Sequence, residues 1–183
     1  THVPAGRVEV VEVFSYGCPA CNQFQPIMTE LAAKLPKKAQ LVYVPASWNP
    51  AESWPLFQRA FLTAQILGIA ERTHQALYDA IWKTGELAVV DPATHQLKRP
   101  QPTIGAIARF YARVGGVTQQ QVLDTAKSFA VDMKMMESDE LVKAYAVEGT
   151  PTLIVAGKYR VNNSSVRSVD ELIELVLWLV NRP

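Results

Sequence analysis

Val8-Glu9-Val10-Val11-Glu12-Val13-Phe14-Ser15-Tyr16-Gly17-Cys18-Pro19-Ala20-Cys21-Asn22-Gln23-Phe24 decides the reading of this chain. Its first seven residues are rich in Val and apolar at nearly every position, the pattern of a strand covered on both faces. A helix follows, because Phe24, Ile27, Met28, Leu31 and Leu35 recur at three- and four-residue steps until Pro36 stops them. Pro19 suits the first helical turn, where its missing N–H costs little, while Pro26 inside the pattern predicts a kink. Between strand and helix stand the only two cysteines of the 183 residues, Cys18 and Cys21. A two-residue spacer lets both sulfurs meet in one small ring, so the pair can alternate between dithiol and disulfide without moving the fold. A thiol at a helix N-terminus faces unpaired N–H groups and the positive end of the helix dipole, which favour its thiolate. The thiolate is the form that attacks disulfides, so the stretch predicts thiol–disulfide exchange.

Other uses of the two cysteines fit less well. A disulfide closing a four-residue loop would stabilise the fold by only about 2 kcal/mol on the chain-entropy account, a poor structural staple. His2, His74 and His95 share no metal-ligand spacing with the cysteines or with each other, so no metal and no cofactor is expected. The net charge of +1, from 18 basic and 17 acidic residues, predicts no general attraction to nucleic acid or to a membrane surface. No stretch approaches the roughly 20 apolar residues of a membrane span. The chain opens on Thr1 with no charged-then-apolar leader, so any secretory signal peptide is expected to have been removed or left out, and the start lies close to the first clear strand, which leaves open whether a further N-terminal strand has been trimmed.

Outward from the cysteines, Leu41-Val42-Tyr43-Val44 reads as a second strand, completing a strand–helix–strand unit. From about residue 53 to 145 the pattern becomes helical. Trp54, Phe57, Phe61, Ala64 and Leu67 mark one helix ending near Gly68, and Leu77, Tyr78, Ile81 and Trp82 another ending near Gly85. A third covers roughly 103–114, and one or two more fill 118–145, opened by the capping-box pattern Thr118-x-x-Gln121. Residues 86–102, with Pro92, Pro100 and Pro102, read as loop. Strand character returns at Thr152-Leu153-Ile154-Val155, followed by a tight turn at Gly157-Lys158 into a strand over 159–161. Ser168-x-x-Glu171 opens a last amphipathic helix through Leu172, Leu175, Val176 and Leu179. A mixed sheet interrupted by a block of helices is the simplest α/β architecture. Met133, Met135 and Met136, with Trp48 and Trp54, either pack within that block or form an adaptable apolar surface for unfolded proteins.

A strand, CxxC at a helix start and a distant Thr150-Pro151 just before a strand together resemble the thioredoxin fold. The helical block between the halves, with Glu12-Val13-Phe14-Ser15, Cys18-Pro19-Ala20-Cys21-Asn22-Gln23-Phe24 and Val147-Glu148-Gly149-Thr150-Pro151, is similar to the DsbA family of thiol:disulfide interchange proteins. The resemblance implies a discontinuous thioredoxin-like domain (1–52 and 146–183) with an inserted helical domain (53–145). It implies that Cys18 is the exposed nucleophile and Cys21 the buried resolving thiol of a redox-active disulfide. Pro151 would be a cis-proline facing them, against the ordinary reading of a trans proline at a strand start. Thr150, with Pro19 and Ala20 of the spacer, would meet the substrate. Glu12 stands where related folds bury an acid under the resolving cysteine, and there it could exchange a proton with Cys21. The alternative is a strand-end glutamate that reaches solvent.

Two positions depart from the family pattern. Ala20 replaces the His that often precedes the second cysteine, and Val42 stands where some relatives carry a Lys beside the buried acid. The function implied is oxidation of reduced, unfolded client proteins by a monomer in the periplasm, with a DsbB-like membrane quinone reductase restoring the disulfide. The same chemistry run as a reductase or isomerase is the competing expectation, although no dimerisation segment of a dedicated isomerase is visible. A non-redox chaperone or a glutathione-dependent transferase is opposed by the intact CxxC, since such a transferase needs no resolving cysteine.

Overall fold

A computed structural model describes residues 6–91, 93–94, 96–162 and 165–182. His2, Pro92 and His95, named above, lie outside the described residues, as do the first five positions and the last of the expected domain ranges. Strand β1 (Val8–Phe14) lies inside a four-stranded sheet ordered β2-β1-β3-β4. It runs parallel to β2 (Ala39–Pro45) and antiparallel to β3 (Thr152–Val155), which pairs antiparallel with β4 (Tyr159–Arg160). Flanked by strands on both edges and covered on both faces, β1 has residues 9–14 buried, which explains its nearly unbroken apolar run.

The parallel β1–β2 pair needs a crossover, and helix α1 (Pro19–Lys34) supplies it. This helix continues through Pro26. It ends where Leu35, just before Pro36, turns to an extended backbone (ψ 134°), as a residue preceding proline favours. Helix α7 (Val169–Val180) joins α1 on one face of the sheet. There Leu172, Ile173 and Val176 pack with Met28, Leu31, Val10, Leu153 and Val155. The other core collects Val11, Val13, Phe14, Val44 and Ile154 against five helices: α2 (Trp54–Ile66), α3 (Ala70–Trp82), α4 (Ile104–Val114), α5 (Gln119–Ala126) and α6 (Phe129–Ala144).

Several ends differ in detail from the sequence reading. The Thr118–Gln121 capping box forms with both of its bonds. At α7 only half of the expected box forms: the Ser168 hydroxyl accepts from the Glu171 N–H, but the Glu171 carboxylate accepts from Arg167 instead of Ser168. Ser128 opens α6 as a second N-cap inside the long helical stretch. The β3–β4 turn has its two left-handed residues at Ala156 (φ 55°) and Gly157 (φ 64°), one position earlier than expected, and Lys158 N–H closes it on the Val155 carbonyl at 3.1 Å. Helix α3 stops at Trp82, three residues short of Gly85. A 3-10 turn at Pro50–Glu52 precedes α2. Among the described residues no helix is long and apolar enough to cross a membrane, and no group of three or more potential ligands could hold a metal.

Candidate redox active site

The chain leaves β1 at Phe14 and reverses within three residues into α1. The Ser15 carbonyl accepts from the Cys18 N–H at 3.1 Å, and the Ser15 hydroxyl accepts from the Gly17 N–H at 3.1 Å. Glycine is required at position 17 by close approach, since a Cβ there would lie 2.6 Å from Trp54 Nε1 and 3.2 Å from the Glu52 carbonyl oxygen. Cys18 is the N-cap of α1, with extended backbone (φ −91°, ψ 116°). Its sulfur accepts from the Cys21 N–H at 3.4 Å, the role that a Ser or Asp oxygen usually fills. The first turn of α1 carries no acidic residue to oppose a negative sulfur.

Both cysteines are thiols here, and they occupy different surroundings. Cys18 keeps 6% of its surface exposed and Cys21 none. Interaction with the Cys21 thiol, then with Thr150 and the Cys21 and Ala20 N–H groups, outweighs burial and lowers the Cys18 thiol to about 6. Burial, followed by the bond to Cys18 and the charge of its thiolate, pushes Cys21 well above the ordinary thiol range. Opposite them, the Thr150–Pro151 bond is cis, and the Cys18 thiol donates to the Thr150 carbonyl at 3.4 Å. The Thr150 hydroxyl is buried and has no hydrogen-bond partner among the described residues. Pro19 and Ala20 lie exposed beside Cys18.

Glu12 is fully buried, so the alternative of a strand-end glutamate reaching solvent does not hold. Among the described residues neither of its carboxyl oxygens has a hydrogen-bond partner. Burial first, and then the charge of Cys18, raise its pKa well above the usual carboxyl range. The β2 residue opposite Glu12 is Tyr43, whereas Val42 pairs with Val11. Around the end of β1 the Phe14 ring meets Tyr16, Tyr43, Phe61 and His74 edge-on, with centroids 5.1 to 5.7 Å apart. Burial lowers His74 within this cluster to about 4. Tyr16, His74, Tyr78 and Trp82 were not singled out from the sequence as site residues, although positions 74, 78 and 82 form a four-residue row on one helix. Beside the spacer opens a cleft of about 530 Å³, lined by Gly17, Pro19, Ile81, Trp82, Ala88 and Val89 among others.

Residues 3–175 match the protein family described as Thioredoxin. The chain is 32% identical to the thiol:disulfide interchange protein DsbA of Azotobacter vinelandii, covering 100% of this chain and 79% of that protein. It is also 32% identical to DsbA of Pseudomonas aeruginosa, covering 97% and 76%. Among solved structures, oxidoreductase DsbA from Xylella fastidiosa superposes with a TM-score of 0.82 at 28% identity, covering 97% of this chain and 87% of that one. Fold and site thus define a thioredoxin-fold thiol–disulfide oxidoreductase, which exchanges thiols and disulfides with substrate proteins. Within that class the chain belongs to the DsbA family of thiol:disulfide interchange proteins.

Proposed function

We propose that this chain is a periplasmic dithiol oxidase of folding proteins, with Cys18 as the sulfur that clients attack. A client thiolate attacks Cys18 Sγ of the oxidised protein, the Cys18–Cys21 bond breaks, and Cys21 leaves with the electron pair. Cys21 then takes a proton, for which the enclosed, proton-retaining carboxyl of Glu12 is the nearby source. A second client thiolate attacks the client sulfur of the mixed disulfide and expels Cys18 as a thiolate. Two client thiols become one disulfide, and the two electrons rest on the Cys18–Cys21 dithiol.

The observation that carries this direction is the unequal placing of the two sulfurs: Cys18 Sγ caps α1 and accepts the Cys21 N–H at 3.4 Å, whereas Cys21 is fully buried, surroundings that lower the first thiol and keep the second protonated. A thiol of low pKa is a good leaving group in the second step, and a stabilised thiolate favours the reduced protein, which makes the disulfide oxidising. Thr150, Pro19 and Ala20 form the edge that an extended client segment would meet, with Pro151 shaping it, and the adjoining apolar cleft offers room for a side chain near the reacting cysteine. A DsbB-like membrane quinone reductase would regenerate the disulfide, the protein acting as a monomer. Residues 53–145 would form the inserted helical domain, between thioredoxin-like halves at 1–52 and 146–183.

Cys21→Ala removes the internal route of escape from the mixed disulfide. Incubated with a reduced model protein and a mild oxidant, this variant is expected to accumulate a covalent adduct through Cys18, identified by mass spectrometry of the linked peptides. An adduct through other chemistry, or none, removes Cys18 from the role of attacked sulfur. Oxidation of the same reduced protein by stoichiometric disulfide-form wild type, lost in Cys18→Ala, tests the direction.

A further inference from the structure

Helix α3 presents His74, Tyr78 and Trp82 four residues apart, and each reaches the short segment that enters the redox loop. His74 Nδ1 is 2.8 Å from the Tyr16 hydroxyl. The Tyr78 hydroxyl donates to the Ser15 carbonyl at 3.5 Å. Trp82 Nε1 donates to the Tyr16 carbonyl at 2.8 Å. All three partners lie in the two residues after β1, and Cys18 follows two residues later. The Ser15 carbonyl that Tyr78 meets is the same oxygen that accepts from the Cys18 N–H. Steps of four residues keep three side chains on one helix flank over about 12 Å of axis. Tyr16 and Tyr78 are buried, with ring centroids 4.8 Å apart, so the row and the loop are also packed together.

We infer that α3 is the positioning element of the redox loop, with Trp82 as its main positioning residue, holding the Tyr16–Gly17 peptide so that Cys18 Sγ stays aligned with the N-terminus of α1. This rests on the reading of Cys18 as the reactive sulfur. The physical reason lies in how the N-cap works. The sulfur receives the Cys21 N–H only while the chain enters α1 at the observed angle, and that angle is set by the peptide whose carbonyl Trp82 holds. With the indole N–H removed, the Tyr16 carbonyl loses its donor beside a cleft, and its peptide keeps only the Gly17 N–H bond to the Ser15 hydroxyl to hold its orientation. The Sγ then spends less time on the helix terminus, and its thiolate loses stabilisation. The His74–Tyr16 bond supports the same peptide from its side chain, and its partner is held neutral by burial.

Trp82→Phe keeps most of the ring and deletes the donor. Thiolate absorbance against pH, and the equilibrium of the Cys18–Cys21 pair with glutathione, read the consequence without a protein client, so the lining of the cleft by Trp82 does not confuse them. The expected result is an upward shift of the Cys18 pKa of roughly 0.5 unit and a roughly threefold displacement of the glutathione equilibrium toward the disulfide form. Leu77→Val, which loosens the packing of the same helix, is expected to leave both readings at the wild-type values. Superimposable curves for Trp82→Phe and wild type overturn the inference, and so does an equal shift in Leu77→Val, which would make the effect one of general loosening. Should Trp82→Phe not fold, Tyr16→Phe, which cuts the His74 bond, decides in its place by the same two readings. If wild type itself shows no selective low-pH alkylation of Cys18, the redox reading of that sulfur fails, and this outcome is distinct from any result for α3.

Discussion

At position 12 a carboxyl group sits fully enclosed, both oxygens without a partner among the described residues, an arrangement that proteins seldom retain without use for it. Its pKa is raised, so between the ordinary carboxyl value and the raised one the folded protein holds a proton that the unfolded chain has released. Stability is therefore lost as pH rises through that window. Glu12→Leu removes the cost and is expected to stabilise the protein at pH 7, with the gain shrinking below pH ~4, where the carboxyl is protonated in both folded and unfolded chains. Urea denaturation at pH 7 and 3.5 checks this, and a gain of equal size at both values contradicts the assignment of the cost to ionisation. The same change is expected to slow the steps in which Cys21 gains or loses a proton. Ala20, exposed in the first turn of α1, is the complementary case. Ala20→His places a donor beside the Cys18 sulfur and is expected to lower its thiol below the present value of about 6, making the disulfide more oxidising. Thiolate absorbance and a glutathione titration test this, and superimposed curves leave the helix terminus and neighbouring backbone as the whole source of acidity.

Among the elements, the turn between β1 and α1 has little room for substitution. The Cβ of Gly17→Ala would lie 2.7 Å from Trp54 Cδ1 as well as 2.6 Å from its Nε1, and Trp54 is itself buried. This variant is expected to lose about 1–3 kcal/mol, from the overpacking it forces, seen as a lower midpoint in thermal denaturation at neutral pH. Elements with a strong local signal were legible in the sequence. The CxxC at a helix start, the apolar run of β1 and the stepped apolar rows of α1 and α2 depend on neighbours within a few residues. Glu12 stood out because a charge inside an apolar strand is itself a signal. The α3 row was not legible, because its meaning lies in partners 58 to 66 residues away in sequence. His74 read alone suggested only a metal ligand without companions. The Glu171 bond to Arg167 and the Ala156–Gly157 turn were displaced by one residue for a related reason: backbone geometry selects among near-equivalent partners that a pattern of residue types leaves open.

Over the whole molecule, the unequal surroundings of the two sulfurs should appear as a pH dependence of stability that differs between the redox forms. In the reduced protein Cys18 has a folded value near 6, below the value of about 8.5 for an unfolded thiol. Between those limits the unfolded chain binds a proton that the folded protein lacks, so stability rises with pH there and is lost on acidification through 6. Cys21 behaves oppositely: its folded value is raised, so above about pH 8.5 the unfolded chain ionises where the folded protein does not, and stability falls again. The oxidised protein has neither thiol in either state. Glu12 and His74 titrate in both forms, and subtracting the oxidised from the reduced stability removes much of their contribution. The difference is therefore expected to climb from about pH 6, peak near pH 8.5 and decline beyond it. Chemical denaturation of both forms from pH 5 to 10 measures it. A flat difference would mean that folding shifts the protonation of neither thiol, whereas the contrast between a helix-capping sulfur and one sealed beneath it requires a curve with a maximum.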